Sequence, residues 1–514
     1  MKKTWAIPVL LVTVALGASA CTKSGGDKVD QGGANVFPVS AVDDSIAVAM
    51  GDVMPFYDNG VMNIYHLQDS GSSPFYHPIS RLTTTDFIHY TDEGIAINYA
   101  QGQDAIKSND AALGTGSFIK DASGKYHCFY TGHAASAEDV APDPLEVVRH
   151  ATSADQKTWI KDESFKLKGN SAENYLNNDF RDPYVYFDSY DSCYYMLVTA
   201  RDKVNGIETG VIKYYSSTTL DAQADGWQYK GIFYNNPDGT YNMECPSIVE
   251  LNGYFYLAFS EQGDNRVTHY RYKTSHNETE WKKFDRDSID AGGFYAGRLE
   301  KAGDKLFAFA WCARLSGGIS GGFDWGGSLV THQLSQKENG ELCAVMPHTY
   351  KDYFSHGMDY KTVNGEKASG FEFSGEKFSA YGMQKLTSNV TRISLTVEAN
   401  GDKGDFGLSF GLDGDYNNRL GSAIISFELE KGRITCYNGV SSILRYGSPL
   451  TSVAFSFEKD KSYSADIIID GEVLTVYLDG EVALTARITD MKGNNFAFYS
   501  NGAKAKIQDI KFYE

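Results

Sequence analysis

Between about Ala41 and Pro347 the chain repeats one short theme: an alternating apolar run, a turn of Gly, Asn or Asp, and a second run rich in aromatic residues. Phe56-Tyr57 passes through Asp58-Asn59-Gly60 to Met62-Asn63-Ile64-Tyr65, and Ser117-Phe118-Ile119 through Ser123-Gly124 to Tyr126-His127-Cys128-Phe129-Tyr130. Ile248-Val249-Glu250-Leu251 likewise leads through Asn252-Gly253 to Tyr254-Phe255-Tyr256-Leu257-Ala258-Phe259. Strand side chains alternate between two faces and tight turns need residues that accept positive φ, so each segment predicts a β-hairpin. Roughly three hundred residues in units of about 60 accommodate five groups of four strands, which predicts a five-bladed β-propeller over residues 41–350.

The texture changes after Pro347. Residues 351–367 hold no sustained period and read as a linker, whereas 368–514 alternate cleanly, as in Arg392-Ile393-Ser394-Leu395-Thr396-Val397-Glu398 and Val473-Leu474-Thr475-Val476-Tyr477-Leu478. The turn Asp479-Gly480 before Val482-Ala483-Leu484-Thr485-Ala486-Arg487-Ile488 predicts a hairpin within that region. Two packed antiparallel sheets, a β-sandwich, follow from this pattern.

Composition agrees with an all-β chain: Tyr 34, Phe 29 and Gly 51 stand against 12 Pro in 514 residues, and the 42% hydrophobic content excludes general disorder. The formal charge of −19 excludes a nucleic-acid backbone as partner, since phosphate binding needs clustered Lys and Arg. A neutral carbohydrate suits it. Lys2 and Lys3, the apolar run Trp5 to Leu16 and the small residues Gly17-Ala18-Ser19-Ala20 read as an export signal. Cys21 follows at once, which resembles a bacterial lipoprotein signal in which that Cys is lipidated. The expectation is an exported, cell-envelope protein whose membrane partner is reached through this anchor, with 22–40 as a flexible tether. The other six cysteines, Cys128, Cys193, Cys245, Cys312, Cys343 and Cys436, have neither zinc-site nor disulfide-framework spacing and read as buried thiols.

Three acidic segments carry candidate chemistry: Gly51-Asp52-Val53-Met54-Pro55, Phe180-Arg181-Asp182-Pro183 and Met243-Glu244-Cys245-Pro246, each placed at the start of a strand-like run. An isolated acid before a strand is ordinarily a turn cap, and Arg181 beside Asp182 is ordinarily an ion pair. Three such acids on equivalent strands would instead converge on a propeller axis, and glycosidic cleavage needs two carboxyl groups in different protonation states.

Arg181-Asp182-Pro183 and Glu244-Cys245-Pro246, in this order, resemble the R-D-P and E-C-P motifs of glycoside hydrolase family 32, the β-fructosidases. Weaker likenesses lie at Gly116-Ser117 with Tyr130-Thr131-Gly132, at Asp290 through Phe294-Tyr295-Ala296, and at Leu484-Thr485-Ala486-Arg487. The resemblance implies a five-bladed propeller followed by a β-sandwich, and no metal or organic cofactor. It departs at the first motif, where Ala49-Met50-Gly51-Asp52-Val53-Met54-Pro55 replaces W-M-N-D-P-N-G. Two acids compete for that motif's Asp; Asp52 is preferred because it precedes the first hairpin, and Asp58 is read as its turn residue. On the resemblance, Asp52 is the nucleophile, Glu244 the acid/base, kept protonated while Asp52 stays ionised, and Asp182 the residue that grips sugar hydroxyls in the transition state. The two working carboxyls would stand about 5 to 5.5 Å apart, the retaining geometry. Arg181, Gln68, Ser117 and Trp311 are the expected substrate-binding residues, Trp311 by stacking on a sugar face. Cys245 is expected to pack beside Glu244, with no neighbouring His to make it a nucleophile. The expected substrates are fructans such as levan or inulin, fructo-oligosaccharides or sucrose. Two other readings stay open: a related propeller glycosidase acting on another furanoside, and a surface glycan-binding lipoprotein on an inactive hydrolase scaffold.

Overall fold

The computed structural model describes residues 29–514 except 31–32, 44–45, 70–76, 103–104, 135–143, 170–178, 264–266, 316–322, 387, 389, 413–419, 439–448 and 489–494. The export signal, Cys21 and residues 22–28 and 31–32 of the expected tether lie outside the described residues. The rest of that segment is packed rather than loose: Val29–Asp30 pairs with Thr91–Ile97, Val36 and Phe37 are buried in the propeller core, and Leu329 N–H donates to Pro38 O (2.8 Å). Five antiparallel blades surround one axis, and each begins at its innermost strand. Blade I runs Ile46–Asp58, Val61–Asp69, Ile79–Thr84 and Thr91–Ile97; blade II runs Ala112–Lys120, Tyr126–His133, Glu146–Ser153 and Trp159–Lys161. Blade III is Phe180–Asp188, Cys193–Val204, Ile207–Ser217 and Gln228–Asn235. Blade IV is Asn242–Leu251, Tyr254–Gln262 and Thr268–Lys273, with the bridges His269↔Ser288 and Tyr272↔Lys282 in place of a regular fourth strand. Blade V, Tyr295–Ala302, Lys305–Leu315, Phe323–Gln336 and Leu342–Val345, joins blade I through the pair Gly327↔Met50. The five inner strands touch in a closed ring. The fold is all-β, a five-bladed propeller followed by a sandwich.

Every inner strand carries one extra residue at the same level. Its register slips between Gly51 and Met54, Gly114 and Gly116, Arg181 and Tyr184, Glu244 and Ser247, and Tyr295 and Arg298. The first bulged residues are therefore equivalent: Asp52, Thr115, Asp182, Cys245 and Ala296. Four of them sit in the left-handed region, with φ of 27° at Asp52, 58° at Asp182, 54° at Cys245 and 56° at Ala296. A β-bulge of this kind turns a side chain out of the normal alternation, at a backbone cost of about 1–3 kcal/mol each.

Just past the bulge, the blades are tied together. Gly116 N–H donates to Met54 Sδ (3.0 Å), Val185 N–H to Ser117 Oγ (2.9 Å) and Leu299 N–H to Ser247 Oγ (3.0 Å). The Tyr184 hydroxyl donates to Ile248 O (3.3 Å), and Tyr57 N–H donates to the buried Glu300 carboxyl at 3.1 Å, which joins blade V to blade I.

Helix His348–Tyr353 leads from blade V to the sandwich, whose sheets hold seven and six strands. The segment 351–367 holds more than a linker: Gly357–Met358 pairs with Lys504–Tyr513, and Lys361↔Lys367 and Thr362↔Met383 are bridged, pieces too short to show a period. Between the sheets lie Ile393, Val397, Phe406, Ile425, Ile467 and Phe498. The interface with the propeller is buried: Ile468, Val473, Tyr477 and Ala483 join the propeller's apolar core, and polar bonds cross beside them. Asp290 accepts from Thr485 N–H at 3.1 Å through both oxygens, and its Oδ2 lies 2.9 Å from His332 Nε2. His332 Nδ1 is 3.0 Å from the Tyr477 hydroxyl, so a His332 that donates from Nε2 accepts from Tyr477. Arg487 donates to Ala313 O (2.8 Å), Cys312 O (3.1 Å) and Ser328 Oγ (2.9 Å). A Cβ on Gly293 would stand 2.0 Å from Thr485 O, so only glycine permits this approach.

Asp290→Ala strips acceptors from His332 and Thr485 inside a dry interface, and a loss of about 3–5 kcal/mol is expected. Asp290→Asn, which keeps one acceptor, should lose less; equal urea midpoints for both variants and the parent would refute the interface's role in stability.

Candidate active site

The repeated bulge builds two tiers of side chains at one end of the axis. The bulged tier holds Asp52, Thr115, Asp182, Cys245 and Ala296; the tier one residue earlier holds Gly51, Gly114, Arg181, Glu244 and Tyr295. All three candidate acids thus arrive at the same place from blades I, III and IV. They lie inside their strands rather than ahead of them, because the bulge interrupts the alternation by which a strand's start is recognised.

Each acid has its own partners. Asp52 receives the Thr115 hydroxyl at Oδ2 (2.8 Å) and the Trp311 indole N–H at Oδ1 (3.0 Å). Asp182 Oδ2 receives Cys245 N–H (2.9 Å), while its own N–H donates to Thr131 Oγ1 (2.8 Å). Glu244 Oε1 receives Arg181 Nη2 (2.8 Å), and its Oε2 receives the Tyr295 hydroxyl. Arg181 is itself fixed by Asp179 and by Glu146, 3.4 Å from Nη1, and Asn242 Nδ2 holds Asp179 at 2.8 Å. Beneath them Arg298, 1% exposed, donates to Gly116 O and Asp182 O, carbonyls rather than carboxylates.

Crowding sets the electrostatics. Burial raises the Asp52 carboxyl above the usual range and the Glu244 charge adds to this, against the bonds from Thr115 and Trp311 and the pull of Arg298. Burial pushes Asp182 up to about 7, against Arg181 and with further help from Glu244 and Asp52. Both aspartates are thus pushed toward their protonated forms, Asp182 far enough to hold a proton near neutrality. Tyr295 is held far above its ordinary value by burial and by Glu244, so it remains a hydroxyl donor.

The other expected residues fall as follows. Asp58 lies at the far end of its strand, in the hairpin turn, bound by Lys120 Nζ (3.2 Å) and the Tyr126 hydroxyl (2.8 Å). Trp311 is fully buried, edge-on to Tyr295 at 5.3 Å, and its indole holds Asp52 rather than offering a face to a sugar. The Ser117 hydroxyl is one of the inter-blade ties, and the Gln68 amide donates to Ser40 Oγ (3.1 Å). Cys245 is buried, and both its N–H (2.9 Å) and its thiol (3.8 Å) donate to Asp182 Oδ2. Thr115, Tyr295 and Arg298 escaped sequence reasoning. Their signal is the set of equivalent tetrads Gly51-Asp52-Val53-Met54, Gly114-Thr115-Gly116-Ser117, Arg181-Asp182-Pro183-Tyr184, Glu244-Cys245-Pro246-Ser247 and Tyr295-Ala296-Gly297-Arg298, alike in geometry but hardly in identity.

The altered first motif has a structural counterpart. A Cβ on Gly51 would stand 2.1 Å from the Trp325 ring, so glycine there lets an indole from blade V lie directly on the strand of Asp52. Trp325 stacks on His77 (4.4 Å) and leans on Trp311 (6.0 Å). Among the described residues, two groups whose ligand atoms cluster closely enough for a cation, Asp121/His127/Asp221 and Asp188/Asp191/His276, contain none of the axial acids.

A propeller with carboxylates from three blades meeting on its axis defines a glycoside hydrolase of the bladed type. The sequence profile "Glycosyl hydrolases family 32 N-terminal domain" matches residues 56–327 and "Glycosyl hydrolases family 32 C terminal" matches 359–514, so the chain belongs to glycosyl hydrolase family 32. The first match begins at Phe56, beyond Asp52, whose position is given by the bulge geometry. The chain is 30% identical over 207 residues to a sucrose-6-phosphate hydrolase of Vibrio alginolyticus, 40% of this chain and 37% of that enzyme. It is 24% identical over 359 residues to a levanbiose-producing levanase of Geobacillus stearothermophilus, 67% of this chain and 75% of that one. Among solved structures, the β-fructofuranosidase of Aspergillus kawachii superposes with a TM-score of 0.67 at 14% identity, covering 95% of this chain and 98% of that one. Fructan 1-exohydrolase IIa of Cichorium intybus gives 0.67 at 14%, covering 93% and 97%.

Because burial pushes Asp182 up to about 7 from the ordinary value of 3.8, the folded state binds the extra proton between these values. Its contribution to stability therefore falls as pH rises through that window and levels off above it. Asp182→Asn should flatten the decline in Tm between pH 5 and pH 8; a variant whose Tm profile runs parallel to the parent's would contradict the assignment.

Proposed function

We propose that this chain hydrolyses β-fructofuranosyl linkages in fructans, fructo-oligosaccharides or sucrose by retaining double displacement. The observation that carries the reading is the convergence of Asp52, Asp182 and Glu244 at one end of the axis, each with a different set of donors. The names of the Geobacillus levanase and the Cichorium exohydrolase support the substrate class.

In the first step an Asp52 oxygen forms a bond to the anomeric carbon of the fructosyl unit while the glycosidic bond breaks, and Glu244 gives its proton to the leaving oxygen. In the second, Glu244 takes a proton from water, whose oxygen replaces Asp52 at the same carbon and frees fructose or an oligofructoside. Thr115 and Trp311 aim both Asp52 oxygens and favour its carboxylate form. Arg181 and Tyr295 fix the Glu244 carboxyl so that its proton is delivered along one direction. Asp182, set between them, accepts hydroxyls of the sugar as positive charge develops. Trp325, lying on Gly51, supplies an aromatic wall beside the strand of Asp52. The amino-terminal pattern ending in Cys21 places the enzyme, on the same reading, on the cell envelope through a lipid anchor.

With protein lacking residues 1–21, chromatography should show fructose or oligofructosides released from levan, inulin or sucrose. Asp52→Asn and Glu244→Gln should each lower kcat by several orders of magnitude with Tm retained, since one loses the covalent step and the other the proton transfer. Near-parental rates in both variants would overturn the assignment, and polymer binding without product would make the chain a glycan-binding protein.

A further inference from the structure

A second concave region lies at the opposite end of the propeller from the acids. Asp188 ends the inner strand that bears Asp182, six residues or about 20 Å further on. Between blades III and IV at that end, two cavities of about 470 and 490 Å³ adjoin, sharing Tyr190, Asp191, Glu250, Phe255 and His276. Together they form one groove.

Tyr190 stands where the two cavities meet. One ring face lies on His276, with centroids 4.6 Å apart and planes 16° from parallel, and its hydroxyl donates to Glu250 Oε1 (3.3 Å). The side chain is thus held in place although the residue is 56% exposed. A fixed, exposed aromatic face rimmed by carboxylates suits a ring that is apolar on one face and hydroxylated at its edge.

The charges select against other ligands. Lys273 Nζ donates to His276 O (2.7 Å) and Glu278 O (3.2 Å), and Lys301 Nζ to Glu250 O (3.1 Å), so both cations of the groove are engaged with the protein. Asp188, Asp191, Glu250 and Glu278 line the same walls, which repels anions. Burial pushes Glu300, on the inner wall, up to about 8, so near neutrality it is an uncharged hydrogen-bonding group.

We propose that this groove is a second saccharide site that holds another stretch of the polymer cut at the axis, with Tyr190 as its stacking platform. The polymer's identity as a fructan rests on the function proposed above; the groove's preference for a neutral saccharide chain does not.

Two measurements test it. In the active chain, Tyr190→Ala should lower kcat/KM on levan or inulin about three- to tenfold, the worth of one stacked ring, and leave turnover of sucrose or a trisaccharide unchanged. Tyr190→Phe, which keeps the ring and drops the hydroxyl, should behave as the parent. In gels containing levan or inulin, the Glu244→Gln protein should be retarded more than the Glu244→Gln/Tyr190→Ala protein. Equal effects on polymer and short substrate, or equal retardation with and without Tyr190, would overturn the proposal, as would salt-sensitive retention on immobilised polylysine with none on polysaccharide, which would assign the groove to a cationic polypeptide. Tyr190-dependent retardation without hydrolysis of any fructan would uphold the groove and refute the proposed activity.

Discussion

Five inner strands each hold one residue too many at the same height, and the active site depends on that irregularity. In a regular strand the residues flanking Asp52, Asp182 and Glu244 would alternate between the two faces of the blade. The bulge turns the backbone through the left-handed region and frees two successive side chains to project toward the axis. The strain recurs in four blades and is sustained because the ring of inner strands is closed by bonds just past it, from Gly116 to Met54, Val185 to Ser117 and Leu299 to Ser247. These three ties beside the acids are made by groups that carry no charge.

Charge balance follows from the same tiers. Three carboxyl groups in a buried cluster repel one another, and the propeller answers with Arg181 alongside and Arg298 beneath. Arg181 is tethered by Asp179 and Glu146, so its position does not depend on the acid it serves. Arg298 reaches across the axis to carbonyls of blades II and III. Removing either cation would leave buried negative charge with less compensation, which is dearer than losing a surface pair.

The sandwich reaches the site through the strand Lys305–Leu315. Arg487 binds the carbonyls of Cys312 and Ala313, the two residues after Trp311, and Trp311 holds Asp52. The segments around Asp290 and around Leu484 to Arg487, which resemble the family more weakly than the acidic motifs do, meet at this interface through Asp290 and Thr485. Their likeness reports a docking surface, and the first of them also carries Tyr295, which donates to Glu244, into the site.

The all-β class, the hairpins and the order of the three acids were legible in the chain because strand alternation and turn residues are local properties, set by the pleat and by φ. So was the reading of Asp58 as a turn residue, since Asp58-Asn59-Gly60 has the composition of a turn, and Asp58 lies there with Lys120 and Tyr126. The partners of each acid were not legible. Thr115 meets Asp52, Cys245 meets Asp182 and Tyr295 meets Glu244 across strands separated by some fifty residues or more, and no local pattern records which strands become neighbours. Nor does the sequence show that Trp311 turns its indole edge to a carboxylate, or that Gly51 is glycine because Trp325 lies on it. Local pattern fixed which residues form strands; closing five of them around one axis, with the bulge in register, decided which of their side chains share a site.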